Sequence, residues 1–216
     1  MAYLRWRRVL ELGAVDRPWL GAFLRRPRPT SGDPTESWDS VYERGAYDRL
    51  PLSEQRHHHR LLAMLISEAT PAARTLEIGC GEGIFYQSLK LCAPSAYLGV
   101  DVSRTAIARA HERFERDVAA GDVRFEVGDG RAFTPDEMFD VIAFPECIEY
   151  LGELQPLLAH YRQFLKPGGL FGVSMWMSGN SVRLWQTLKA TIPVRDEATV
   201  LAPWGGAWIV ATFDAQ

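Results

Sequence analysis

Two carboxylates flank a glycine-rich turn in the stretch LEIGCGEG, Leu76 to Gly83, with Glu77 just before the turn and Glu82 inside it. Turns of this kind between a strand and a helix commonly cradle phosphate, because free N–H groups and a partial positive charge sit at the helix start. Two negative charges oppose that use. They suit a nucleoside that lacks phosphate and carries an amino group, which Glu77 would meet directly or through water. Asp101 lies twenty residues past Gly81, at the end of the next strand-like segment. A carboxylate there accepts both protons of a ribose diol. Asp129 ends the segment VRFEVGD. The glycine spacing is GxGxG (Gly79, Gly81, Gly83), which departs from the GxGxxG of a dinucleotide fingerprint. A purely local reading stays beside these: Asp101 caps the helix beginning near Ser103, Asp129 shapes a Gly-Asp-Gly turn, and Cys80 is a small turn residue.

Two further groups carry titratable side chains. One is Glu146-Cys147-Ile148-Glu149-Tyr150, after the segment FDVIAFPE. The other is the tract His57–His59, internal and flanked by Arg56 and Arg60. On a helix, His57 lies four residues before Leu61 and His58 four before Leu62, which places both on the apolar side and His59 elsewhere. His57 or His58 is therefore a candidate general base, with ordinary packing or substrate contact as the alternative. His111 and His160 fall within amphipathic helices and read as surface residues.

Regular elements must position these groups. Ser53 is a plausible N-cap for a helix running to about Glu68. After it, ARTLEIG, AYLGVDVS, VRFEVGDG, FDVIAFPE and LFGVSMWM read as strands. GIFYQSLKLC, RTAIARAHERFERDV and ELQPLLAHYRQFLK read as the helices between them, the last closed by Pro167-Gly168-Gly169. Apolar strands alternating with amphipathic helices indicate a parallel sheet covered on both faces. Beyond the helix SVRLWQTLKAT, segments around Thr199–Leu201 and Trp208–Phe213 flank a Pro-Trp-Gly-Gly turn and read as a closing antiparallel hairpin. In an open α/β sheet, ligands bind beyond the carboxyl ends of the strands where the strand order reverses. Glu77 to Gly83, Asp101 and Asp129 all fall at such ends.

The chain has 216 residues and 47% hydrophobic composition, enough for one domain with a sizeable core. Its net charge of -3 hides an asymmetry. Residues 1–30 hold seven arginines against Glu11 and Asp16, about +5, and the rest carries about -8. An acidic core without a basic, aromatic-interleaved stripe argues against a nucleic-acid partner. Three cysteines without a CxxC pair point to a reduced, cytoplasmic setting. No apolar run approaches the roughly 18 residues of a membrane span, and no secretory signal is read. Residues 1–37 are read as a basic extension, with a short helix or two, and a Pro-rich linker, Arg25 to Ser37. The extension is either solvated or in weak contact with a membrane surface or partner through Trp6, Trp19 and the arginines.

LEIGCGEG, GVDVS, EVGDGRAF, FDVIAFPECIEYL and FLKPGGLFGVS, in that order, resemble the motif set of class I S-adenosylmethionine (SAM)-dependent methyltransferases, over roughly residues 73–176. The resemblance implies an α/β, Rossmann-like, doubly wound sheet of seven strands, mostly parallel with a C-terminal antiparallel hairpin, and SAM as cofactor. It makes residues 38–216 the methyltransferase domain, with 38–70 as an N-terminal lid to which Tyr42 and Tyr47 contribute. Gly79, Cys80 and Gly81 would let the backbone approach the methionine part. Asp101 would hold the ribose hydroxyls, Val102 would pack on the adenine, and Asp129 and Gly130 would meet its amine and ring edge. Pro145 and Glu146 would face the sulfonium and the acceptor. Glu146–Tyr150 also resembles the Glu-x-x-Glu-His element of metal-assisted O-methyltransferases, but Tyr150 replaces the histidine, so no metal is expected.

The reading is an enzyme that methylates O or N of a small-molecule acceptor, such as a natural product, sugar or aromatic metabolite. Glu146, His57, His58 and Glu149 are its candidate catalytic residues. The competing classes are a non-catalytic SAM-binding module with a partner-binding basic N-terminus, and an NAD-dependent oxidoreductase. The acceptor and the oligomeric state are not legible.

Overall fold

A computed structural model describes residues 34–203 and 205–215. The basic extension up to residue 33, including Trp6 and Trp19, lies outside the described residues, as does Trp204 of the hairpin turn. In chain order the elements are α1 (Pro34–Glu43), α2 (Arg56–Ala69), β1 (Arg74–Ile78), α3 (Ile84–Leu89), β2 (Ala96–Asp101), α4 (Arg104–Arg113), α5 (Glu115–Ala119) and β3 (Val123–Val127). Then follow β4 (Phe139–Pro145), α6 (Leu154–Arg162), β5 (Leu165–Trp176), α7 (Gly179–Thr191), β6 (Val194–Leu201) and β7 (Ala207–Asp214).

The seven strands form one sheet in the order β3-β2-β1-β4-β5-β7-β6. The β1–β2, β1–β4, β2–β3 and β4–β5 pairs are parallel, and β7 runs antiparallel to both β5 and β6. The order reverses between β1 and β4. β1 and β4 are short and buried almost throughout, as strands covered on both faces must be. On one face Leu76, Ile78, Ile142 and Phe171 pack with Leu157, Leu158 and Tyr161 of α6 and Trp185 and Leu188 of α7. On the other, Val141, Ala143 and Val210 meet Leu62 and Ile66 of α2, Phe85 of α3 and Ile107 of α4.

Several element limits differ from the sequence reading. α1 begins at Pro34, so the end of the segment read as linker is helical. α2 begins at Arg56, and Ser53 caps nothing within it. The Ser53 hydroxyl donates to Leu50 O at 3.0 Å and accepts from Gln55 N at 3.3 Å, closing the preceding turn. The long helix expected after β2 breaks at Phe114, whose φ of -117° and ψ of 27° are not helical and so end α4 and open α5 while its ring packs into the core. α6 stops at Arg162. Lys166-Pro-Gly-Gly then bulges out of β5, because Leu165 pairs with Phe139 while Leu170 already pairs with Val141. The terminal hairpin is as read, with β6 extending back to Val194.

Candidate active site

The glycine turn is built by its neighbours. Gly79 N–H and Cys80 N–H both donate to Val100 O, at 2.7 and 3.0 Å, tying the end of β1 to β2. Gly79 and Gly81 hold φ of +71° and +52°, in the left-handed region that glycine enters freely. A Cβ on Gly79 would lie 2.5 Å from Cys147 Cβ, and one on Gly81 would lie 2.6 Å from Tyr42 Oη. The turn therefore offers bare backbone between a loop after β4 and a tyrosine of α1. Such a cradle is what a ligand approaching main chain requires.

Asp101 ends β2 and is buried. Its Oδ2 accepts from Gly81 N–H at 2.8 Å and its Oδ1 from Ser103 N–H at 2.9 Å. Burial lifts its pKa to about 6, against the lowering effect of those N–H donors. Each oxygen keeps a lone pair for a further donor, so the residue fits a diol. Ser103, not Asp101, caps α4: its Oγ accepts from Ala106 N–H at 3.1 Å. Val102 is half-buried beside it.

Glu77 is buried and accepts a hydrogen bond from the Tyr97 hydroxyl. Burial pushes its carboxyl well above the usual range, and the nearby Asp101 adds to that. Glu82 is held differently, by Arg109 at 2.7 Å, and the same guanidinium reaches Asp48 at 3.4 Å. Asp129 is exposed and gripped two-pronged by Arg131, at 2.9 Å from Nε to Oδ1 and 2.6 Å from Nη2 to Oδ2, which holds its pKa low. Gly130 is buried, and its carbonyl accepts from the Tyr161 hydroxyl at 2.7 Å. The Cys80 and Cys147 thiols are buried, and burial pushes both upward; Cys147 donates to Ile78 O at 2.8 Å.

At the end of β4, Pro145 is buried and Glu146 takes φ of +64°, an uncommon backbone for a residue with a side chain. Glu146 N–H donates to Ser174 O on β5 at 2.8 Å, so the kink is stitched to the neighbouring strand end. Glu149 lies in the short turn Ile148–Tyr150, and the Tyr150 ring meets Trp38 of α1 edge-on at 5.4 Å. On the α2 side of the same sheet edge, Trp176 and Trp208 meet edge to face with centroids 4.7 Å apart. His58 stacks on Trp208 at 5.2 Å, with Nδ1 3.2 Å from Ser174 Oγ.

The histidine assignment needs correction. His58 and His59 are buried and His57 is exposed. The buried stripe of α2 centres on Leu62, Ala63 and Ile66, and Leu61 lies at its flank, so pairing His57 with Leu61 set the helix phase one position off. His57 thus stays outside the buried cluster that His58 joins. His111 and His160 are tied to main chain, with ring nitrogens 2.9 Å from Phe125 O and 2.8 Å from Phe133 O.

Sequence reasoning missed Asp39. From α1 its Oδ1 accepts the Ser103 hydroxyl at 2.6 Å and Thr105 N–H at 2.9 Å. The available signal was the spacing of Asp39 and Tyr42, which puts both on one face of a helix. Among the described residues, no cluster of His, Cys, Asp and Glu is placed to hold a metal, and no helix is long and apolar enough to cross a membrane.

Residues 76–171 match the family described as "Methyltransferase domain". The chain is 28% identical over 155 residues to malonyl-[acyl-carrier protein] O-methyltransferase 2 of Ilyobacter polytropus, covering 70% of this chain and 58% of that protein. It is 30% identical over 121 residues to nodulation protein S of Rhizobium tropici, covering 54% of this chain and 48% of that protein. The chain thus spans about half the length of these curated relatives. The solved structure of the N-methyltransferase NodS from Bradyrhizobium japonicum WM9 with S-adenosyl-L-homocysteine (SAH) shares the fold. It aligns with a TM-score of 0.62 at 22% identity, over 74% of this chain and 87% of that one. Residues 76–171 thus resemble a methyltransferase domain, and the sheet order belongs to the fold shared with the solved N-methyltransferase.

Proposed function

We propose that this protein transfers a methyl group from SAM to an oxygen or nitrogen of a small-molecule acceptor. The observation that carries the reading is the buried Asp101 carboxylate, bonded to Gly81 N–H beside the point where the strand order reverses. SAM supplies the reactive methyl group, as a sulfonium open to in-line displacement. The chain's own residues bind, orient and exclude water. Asp101 receives the ribose hydroxyls, and Val102 packs on the adenine. Gly79, Cys80 and Gly81 give main-chain access to the methionine part. Glu77 faces its ammonium, and a positive charge there would draw the raised carboxyl back toward ionisation. Gly130 borders the adenine edge, and Asp129 reaches the adenine amine once its Arg131 pair opens.

Pro145 and Glu146 border the acceptor, with His58 behind them through Ser174. Holding the reacting atoms in line is worth roughly 7–11 kcal/mol, whereas a positioned base adds about 10²–10⁴-fold. Alignment is therefore the main task, and an acidic or histidine base is secondary. Two relatives are named for O- and N-linked chemistry in turn, malonyl-[acyl-carrier protein] O-methyltransferase 2 and the N-methyltransferase NodS, and the reading admits either atom. The domain includes α1, because Asp39 and Tyr42 contact the cofactor elements.

Calorimetry tests this directly. SAH should bind and NAD should not, and Asp101→Ala should weaken SAH at least tenfold. Absence of heat with SAH would sink the proposal. SAH binding without turnover across a tritiated-methyl acceptor screen would favour a non-catalytic module.

A further inference from the structure

A continuous chain of hydrogen bonds runs from the glycine turn to α1. Gly81 N–H donates to Asp101 Oδ2 at 2.8 Å, and Ser103 N–H donates to Asp101 Oδ1 at 2.9 Å. The Ser103 hydroxyl then donates to Asp39 Oδ1 at 2.6 Å, and Thr105 N–H joins the same oxygen at 2.9 Å. Ser103 thus gives its two donors to two different carboxylates, one on β2 and one 64 residues earlier on α1. Three residues on from Asp39, the buried Tyr42 places its hydroxyl over Gly81, the other end of the chain. α1 spans the turn with one contact at each side.

We propose that Asp39 is a positioning residue of the cofactor site: it latches α1 across the glycine turn and, through Ser103, fixes how Asp101 faces a ribose diol. This rests on the cofactor reading above and adds a residue to it. Two physical consequences follow. The acceptor at the start of α4 comes from α1, so losing it frees Thr105 N–H and lets the Ser103 hydroxyl turn away. The negative charge of Asp39 also sits close enough to Asp101 to disfavour ionisation there. Burial raises the Asp39 carboxyl, but the hydrogen bonds from Ser103 and Thr105 outweigh it and leave its pKa below the usual value, so Asp39 stays charged. The other titratable groups facing Asp101 are Tyr42 from α1, Glu77 from β1, Cys80 from the turn and Cys147 after β4. Glu77 also titrates upward, so a single profile of wild type would mix the two carboxyls, and the comparison between variants separates them.

Asp39→Asn keeps an acceptor oxygen and removes the charge, whereas Asp39→Ala removes both. SAH affinity is measured by calorimetry from pH 8 to pH 5.5, and amide exchange of α1 is followed in the ligand-free protein. Asp39→Ala should bind SAH about tenfold more weakly at pH 8 and exchange its α1 amides faster. Asp39→Asn should bind within about threefold of wild type at pH 8 and lose about threefold less affinity on acidification. A merely structural role would leave that acid limb in place. The proposal is overturned if the acid limb of Asp39→Asn coincides with wild type, or if a folded Asp39→Ala binds SAH as wild type does. Where Asp39→Ala does not fold, the Asn variant decides alone. If wild type itself binds no SAH, the cofactor reading falls and takes the Asp101 role with it. The latch on α1 is then judged by exchange, and equal α1 exchange in wild type and Asp39→Ala removes it too.

Discussion

Asp101 places two demands on one carboxylate. In the ligand-free fold it is buried, with its pKa lifted to about 6, so the folded chain holds its proton more tightly than the unfolded chain does. This group's contribution to stability is therefore present below the unfolded value and is lost as pH rises through about 6. The role proposed for it, accepting ribose hydroxyls, needs the opposite, ionised form. The rise in thermal midpoint that SAH produces should accordingly grow between pH 5 and pH 7.5, since at pH 5 the apparent affinity drops about tenfold. Thermal shift with and without SAH at both pH values checks this, and an equal or larger shift at pH 5 contradicts it. Gly81 is the second sensitive point. Alanine there must hold φ near +52° and push its Cβ against the Tyr42 hydroxyl. Gly81→Ala should destabilise by about 1–2 kcal/mol, lowering the midpoint by roughly 2–8 °C, and should weaken SAH at least tenfold. A variant as stable and as tight as wild type would show that the turn relaxes freely.

At the scale of elements, the two ends of the sheet are built for different tasks. At the N-terminal ends of the strands, Asp140 accepts Arg74 N–H and Lys166 Nζ, each at 2.9 Å, and Glu137 pairs with Arg74 and Arg124. At the C-terminal ends lie the glycine turn, Asp101 and the kinked Glu146, with α1 laid across the first two. A chain that starts at residue 44 lacks α1 and should lose SAH binding by at least tenfold while its far-ultraviolet circular dichroism keeps the α/β shape. SAH binding unchanged by that truncation would contradict the role of α1. The reach of sequence reasoning follows from the distances involved. The placement of the glycine turn and of Asp101 is legible because it depends on local spacing and on strand ends. The histidine phase failed because it depends on which leucine lies at the centre of the α2 stripe, and that is decided by the sheet beneath. The spacing of Asp39 and Tyr42 gives a face but no partner, because Ser103 is distant in sequence and meets Asp39 only after α1 docks on α4. Asp129 is legible as a carboxylate at a strand end, whereas the grip of Arg131 depends on a side-chain rotamer that spacing does not set. The bulge at Lys166–Gly169 was read as a helix stop, since Pro-Gly-Gly ends a helix and interrupts a strand with equal ease.

For the whole molecule, connectivity fixes which parts can form before others. β7 is buried along almost its full length and sits between β5 and β6, both of which precede it in the chain. Its Val210 and Phe213 complete the packing on the two faces of the sheet. Until Ala207–Asp214 is available, β5 has no partner on its outer side and β6 has none at all. A chain ended before Ala207 should therefore be insoluble or bind hydrophobic dyes, with no cooperative thermal transition; a soluble, cooperatively melting product would refute this. During synthesis the same geometry sets a timetable. Ala207–Asp214 must emerge from the ribosome before the domain can close, so the nascent domain carries an open sheet edge until that strand appears. A frameshift or stop ahead of Ala207 is then as damaging as one in the middle of the domain, because either leaves the sheet waiting for the strand that seals it.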